Sequence, residues 1–289
     1  MKEESHITES TLELLVKRAK EGDREALEAL IRSIQDRIYG LALRMLYYPA
    51  DAEDASQEIL IKIITHLDGF RRDSSFTTWA YRIASNHLLT TRRRRAEQWD
   101  LTFDKCERRI EKGLSYFGHQ SFNEVENGLL LEEMKLACMQ GLLLCLSREI
   151  RMAFILGVVF QTTGIEGGEI LDITPESFRQ RLSRGRKQIS DFMATKCSLV
   201  NPKNPCHCER ILAFDIEKTC VIDPENLLFA DHPCHAKKNG QVMKRLQELD
   251  ELVRLTALFR SHPDYAAPQA FVEIVKNLMD SGRFQLLET

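Results

Sequence analysis

No stretch of this 289-residue sequence is apolar for long enough to span a bilayer, and Met1 to Ser10 lacks the basic start and apolar core of a secretory leader. A cytoplasmic location, with no membrane as a partner, is therefore expected. Internal repeats are missing. An excess of one charge is missing too: 40 Lys and Arg stand against 43 Asp and Glu, a net charge of −3. That balance conceals strong local asymmetry, and the local patches carry the information. In a reducing compartment the eight Cys argue against a disulfide framework and for free thiols or metal ligands. What is present, 43% hydrophobic and 29% charged residues, is ordinary for a globular chain of two or three domains.

The periodicity is helical nearly throughout, so an all-α fold is expected. Leu27, Leu30, Ile31, Ile34, Ile38, Leu41 and Met45 keep a helical period, with Asp23 placed to cap it. Next, Asp51, Asp54 and Glu58 recur at i, i+3 and i+7, opposite Leu60, Ile63, Ile64 and Leu67. All three carboxylates are expected to point outward. From Arg71 to Arg95 there are seven Arg, no Lys and one acid, Asp73, with Phe76, Trp79 and Tyr81 among them. Arg binds phosphate in a bidentate fork and aromatic rings stack on unpaired bases, so this mixture suits the capture of single-stranded nucleic acid. An amphipathic helix that turns Trp79, Ile83 and Asn86 to a core fits the same residues.

The run from about Leu14 to Arg95 resembles the second region of bacterial sigma factors of the extracytoplasmic-function type. The resemblance is carried by Asp51-Ala52-Glu53-Asp54 with Gln57-Glu58, and by Phe76-Thr77-Thr78-Trp79 with Arg82-Ile83-Ala84-Ser85-Asn86. It implies that Asp51, Asp54, Gln57 and Glu58 dock on RNA polymerase core. It also implies that Phe76, Trp79, Arg82, Asn86, Arg92 and Arg93 recognise and melt promoter DNA. Thr90 and Thr91 stand where many members of the family have an Asp.

A second motif runs from Thr174 to Lys187. Thr174 can cap a helix that Pro175 begins, and Phe178, Leu182, Gly185 and Ile189 form its apolar face. Ser177, Gln180, Arg181, Arg184 and Lys187 are left on the other face as candidate DNA-binding residues. Arg148 to Phe160 reads as a buried helix and Glu166 to Leu171 as a short supporting helix ended by Asp172. The arrangement resembles the helix-turn-helix of the fourth sigma region. Gly167 and Gly168 interrupt the supporting helix, each costing roughly 1 kcal/mol, so a short or mobile helix is expected there.

The expected organisation is a polymerase-binding and promoter-melting domain over 10–95, a polar linker over 96–127, a helix-turn-helix domain over 128–194 and a Cys-rich helical extension over 195–289. In the extension Cys197, Cys206, Cys208 and Cys220 lie near His207, His232, Cys234 and His235. Thiolates and imidazoles are zinc or copper(I) ligands, and the four Cys are candidate metal ligands; thiol redox sensing and plain packing remain open. Val242, Leu246, Leu249 and Val253, then Phe271, Ile274, Val275, Leu278 and Met279, mark two amphipathic helices. The extension carries 11 Lys and Arg against 13 Asp and Glu from Val200 onward, which fits regulation better than a further DNA contact.

Three functions compete. A promoter-specificity subunit needs no cofactor and no catalytic centre, and its partners are RNA polymerase core and promoter DNA, with an anti-sigma factor as a further candidate. A helix-turn-helix regulator that is not a polymerase subunit explains Arg179 to Lys187 but leaves Asp51 to Arg95 without a purpose. A metal-dependent enzyme is disfavoured, because no activated nucleophile or acid and base pair accompanies the Cys and His residues.

Overall fold

The computed structural model describes residues 9–92, 94–117, 124–219, 221–234 and 251–268, with Phe271 and Glu273. Arg93, Cys220, His235, Val242, Leu246, Leu249, Ile274, Val275, Leu278 and Met279 lie outside the described residues. Every regular element among those described is helical.

Helices α1 (Glu9–Lys20), α2 (Arg24–Leu46), α3 (Pro49–Thr65) and α4 (Phe76–Thr90) pack as a first bundle. The Asp23 carboxylate accepts the Ala26 N–H at 3.0 Å and starts α2, and Ser75 does the same for α4 through Thr78 N–H. The expected apolar face of α2 is buried from Leu27 to Met45. Its C-terminal half is buried on its remaining faces as well, at Tyr39, Ala42, Leu43, Arg44 and Leu46. A helix covered all round is an interior element, and other parts of the chain supply the cover.

The stretch 96–127 is not a plain tether where it is described. A short 3-10 turn, Arg95–Trp99, is followed by α5 (Phe103–Leu114), which Thr102 caps. Then come α6 (Glu124–Leu144), α7 (Arg148–Phe154, extended by a π turn over Ile155–Val159), α8 (Gly164–Leu171) and α9 (Pro175–Lys196). The pair α8 and α9 is the expected helix-turn-helix. Thr163 and Glu166 form a reciprocal capping box on α8, Asp172 ends it in a left-handed conformation at φ 52°, and Thr174 accepts the Ser177 N–H at 3.1 Å.

The two glycines of α8 are required by close approach. A Cβ on Gly167 would sit 2.3 Å from the Phe178 ring, and one on Gly168 would sit 2.9 Å from the Ile173 carbonyl oxygen. Their cost in helix propensity is accepted because α9 packs directly on the α8 backbone. The supporting helix is as short as expected, and the capping box and that packing fix its position.

The C-terminal extension does not hang free. The Asn204 side chain donates to the carbonyls of Met193, Ala194 and Cys197, closing the C-terminus of α9. Helix α10 (Cys208–Phe214) then packs on α5 and α6, and α11 (Glu251–Arg260) packs on α9 and the π turn after α7.

Candidate nucleic-acid interface

On α3, Asp54 and Glu58 are exposed and Gln57 is half-buried, as expected of a docking face. Asp51 corrects the expectation, since it is buried. Arg95 approaches its carboxylate at 3.4 Å and lies 4.7 Å over the Tyr48 ring. Arg94 reaches Glu58 at 3.8 Å. The end of the Arg run therefore folds back on the acidic helix, and part of its charge is spent there. These contacts are long and partly exposed, worth about 0–1 kcal/mol each, so they are easily exchanged for others. His87 lies behind them, its Nδ1 2.8 Å from Lys62 Nζ. Burial first and the Lys62 charge second lower its pKa, so the ring is neutral and accepts that proton.

The aromatic half of the motif needs a second correction. Phe76 is fully buried, at 0% exposure, and packs edge-on against Phe70 at 5.7 Å. It is a core residue of the first bundle and presents no face to a base. Trp79 is half-buried against Phe70 and Phe76, Arg92 is exposed, and Asn86 is exposed on the outer side of α4. Arg82 is half-buried, and its Nε donates to the Glu169 carbonyl of α8 at 2.9 Å.

That bond belongs to a continuous contact between α4 and the helix-turn-helix domain. The Tyr81 ring stacks on Phe160 at 5.6 Å, and Ser85 Oγ lies 3.5 Å from Met152 Sδ. One face of α4 is thus covered by α7 and α8. The α9 surface, by contrast, is open: Phe178, Leu182, Gly185 and Ile189 are buried as expected, Gln180, Arg184 and Lys187 are exposed, and Ser177 and Arg181 are half-buried. Local bonds hold part of this face, with Lys187 on Asp191 at 2.8 Å and Arg179 on Glu176 at 3.0 Å. The outer face of α9 is thus open to solvent in this arrangement, while one face of α4 is covered.

Sequence reasoning missed the residues that hold the two domains together. Glu97, buried at the start of the linker, accepts from Arg148 at 2.5 and 2.8 Å and from Arg151 at 3.2 Å. Arg148 also donates to the carbonyls of Leu89 and Thr91, and Arg151 to those of Met45, Leu144 and Leu146. Burial pushes the Glu97 carboxyl up, but the Arg148 hydrogen bond and the Arg151 and Arg148 charges outweigh it and hold the pKa below its ordinary value. A Glu before and two Arg after a linker give no pairing signal in sequence.

The extension touches both domains. Buried Glu133 of α6 accepts the backbone N–H groups of Leu228, Phe229 and Ala230 at 2.9, 2.9 and 2.7 Å. On the first bundle, Tyr39 Oη meets His232 Nε2 at 2.8 Å, Asp36 accepts from Ala267 N–H at 2.7 Å, and Arg44 donates to the Pro263 carbonyl at 3.2 Å. On the helix-turn-helix side, Phe259 packs edge-on to Phe154 at 5.0 Å, and Arg260 donates to the Val158 carbonyl at 3.0 Å.

Of the candidate metal ligands, Cys206 is buried and Cys197 and Cys208 are half-buried; Cys197 and Cys206 belong to one parallel backbone bridge. Burial raises all three thiols, Cys206 to about 12 and Cys208 to about 11. Among the described residues, no group of three or more His, Cys, Asp or Glu is placed to hold a metal ion. No helix among those described is long and apolar enough to cross a membrane.

Residues 30–98, from within α2 through the Arg run, match the family model of Sigma-70 region 2. The chain is similar to the ECF RNA polymerase sigma factor SigW of Bacillus subtilis (strain 168), 32% identical over 186 residues, which are 61% of this chain and 96% of that protein. It is also similar to the ECF RNA polymerase sigma-E factor of Escherichia coli (strain K12), 31% identical over 185 residues, 63% of this chain and 93% of that protein. A shorter match joins it to the RNA polymerase sigma-H factor of Pseudomonas aeruginosa, 38% identical over 105 residues, 35% of this chain and 54% of that protein. The first two relatives are covered almost whole, whereas more than a third of this chain lies beyond either alignment.

Proposed function

Because the chain belongs to the extracytoplasmic-function sigma factors and so directs RNA polymerase to promoters, we propose that its C-terminal extension regulates that activity by holding the two DNA-binding domains closed. The observation that carries this reading is the Arg82 to Glu169 bond within the α4 and α8 contact. A helix that must capture an unpaired strand is covered by the domain that reads the duplex, and the extension is bonded to both.

In this reading the residues divide the work. Asp54, Gln57 and Glu58 present the polymerase-docking face, and Asp51 supports it from beneath through Arg95. Trp79, Arg82 and Asn86, with Arg92 and Arg93, serve strand capture once α8 is displaced. Ser177, Gln180, Arg181, Arg184 and Lys187 contact the upstream duplex. In this reading the chain contributes binding and the chemistry belongs to the polymerase. Zinc or copper(I) at Cys197, Cys206 and Cys208, with Cys220, is a proposal within it. Its support is that Cys197 and Cys208 both bear on the Cys206 thiol, so the three share one neighbourhood. Metal analysis of the purified chain tests that part.

A closed majority weakens apparent affinity for core polymerase in proportion to the open fraction. Glu133→Ala removes the carboxylate that accepts from the N–H groups of Leu228, Phe229 and Ala230; losing the acceptor of a buried donor such as that of Phe229 costs about 1–3 kcal/mol, and so loosens the extension. The variant is expected to bind core polymerase more tightly than the parent, with faster hydrogen exchange in 221–234 and unchanged protection in α2 and α4. Faster exchange there with unchanged affinity for core overturns the proposal.

A further inference from the structure

We propose that Cys106 and Cys145 form a thiol and disulfide couple that clamps the linker helix α5 to the end of α6. Neither residue belongs to the Cys-rich extension. Cys106 lies in the first half of α5, and Cys145 lies just beyond Leu144, in the turn before α7. Their sulfur atoms are 3.6 Å apart. That is van der Waals contact between thiols, from which modest side-chain rotation reaches the bonded separation of about 2.05 Å. Both residues are half-buried, so a small oxidant has access while the sulfurs remain aligned.

The surroundings divide the roles. The hydrogen bond shared with Cys145 lowers the pKa of Cys106; burial opposes this, and the charge of Arg109, one turn further along α5, assists it. The same bond, with burial, holds Cys145 protonated. With the Arg109 guanidinium one turn along its own helix, Cys106 takes the part of the attacking thiolate in this proposal and Cys145 that of the resolving thiol. With hydrogen peroxide as oxidant, the Cys106 thiolate attacks one peroxide oxygen and the O–O bond breaks. Cys106 becomes a sulfenic acid, and hydroxide leaves and takes a proton as water. The Cys145 sulfur then attacks the Cys106 sulfur and expels hydroxide, which takes the Cys145 proton as a second water. Two thiols and one peroxide give one disulfide and two waters.

The other contacts of α5 and of the turn after it explain what the clamp would do. Arg109 pairs with Asp215 at 2.7 Å, Glu107 pairs with Lys196, and Tyr116 Oη donates to Glu217 at 2.5 Å. Helix α5 is thus the plate between the extension and the α6 to α7 corner from which Arg148 and Arg151 reach Glu97. Joining α5 to that corner favours the closed arrangement, so oxidation weakens polymerase binding and reduction restores it. This consequence rests on the reading that the closed arrangement is the inactive one.

The test uses the full chain, reduced, treated with hydrogen peroxide, alkylated and peptide-mapped, with affinity for core polymerase measured in parallel. The expected product is a Cys106 to Cys145 cross-link, accompanied by a several-fold loss of affinity that dithiothreitol reverses. Cys106→Ser and Cys145→Ser should each abolish both effects. Free thiols at both positions after treatment, or Cys106 linked chiefly to another Cys, overturns the proposal. A cross-link with unchanged affinity also overturns it as a switch. If Glu133→Ala still tightens core binding in that case, closure by the extension stands and only the thiol couple fails; if Glu133→Ala has no effect either, the closed reading fails with it.

Discussion

Among the described residues, His232 and His262 are the imidazoles by which the extension meets the rest of the molecule. His232 stacks on Tyr39 at 5.5 Å, and His262, 2% exposed, stacks on Phe259 and sets Nε2 3.2 Å from Met139 Sδ. Burial lowers both pKa values, that of His262 to about 3 with the Arg44 charge adding to the effect. A base whose pKa is lowered by closure stabilises the closed state above its free value of 6.5 and loses that contribution as pH falls toward the lowered one. Glu97 acts in a different window: its carboxylate stabilises closure above 4.5 and loses this only below that value. Between pH 6.5 and about 5 the histidines therefore act without Glu97. Hydrogen exchange in 254–268, corrected for intrinsic chemistry, should accelerate over that interval, and His262→Phe should flatten the response. Exchange that is independent of pH there contradicts the assignment. The same scale shows why Phe76 was misread: an aromatic residue inside an Arg-rich window satisfies both base stacking and core packing. Only its contacts with Phe70 and Trp79 decide between them.

Among the elements, α8 and α9 depend on each other through Gly167. Alanine there would place a methyl group 2.3 Å from the ring of Phe178, which is fully buried and has no space to yield. Overpacking of this kind costs about 1–3 kcal/mol, and the strain tilts α9. Gly167→Ala should lower the melting temperature and weaken duplex DNA binding, whereas Gly69→Ala, with nothing within 4 Å of the added carbon, should do neither. Equal melting temperatures and DNA affinities for the two variants would contradict this. Helix starts were legible in sequence where local chemistry sets them, at Asp23 and Thr174, and the period of α2 was legible as well. Helix α5 was not. Phe103, Cys106, Ile110 and Leu114 keep a helical spacing, but charged residues surround them within 12 residues, and a helix that short gains its stability from tertiary packing. Its partner α10 lies about a hundred residues further along the chain.

For the whole molecule, sequence revealed the helical character, the α3 and α4 motifs and the α8 and α9 pair, but not how these parts sit on each other. That arrangement rests on Glu97 with Arg148 and Arg151, on Tyr81 with Phe160, and on backbone acceptors such as the carbonyl of Glu169, none of which forms a local pattern. The extension adds contacts to both parts, so the opening we propose would be a cooperative event that a binding partner must favour through its difference in affinity for the two states. The most direct measurement is the distance between α4 and α8 in the free chain and in its complex with core polymerase, from labels carried by unnatural amino acids at the exposed Asn86 and Ile165. The account predicts one short distance in the free full chain that lengthens when core is added, and a long-distance population already present in free Glu133→Ala. A free parent chain with the same long distance as the complex would contradict closure and, with it, regulation by the extension.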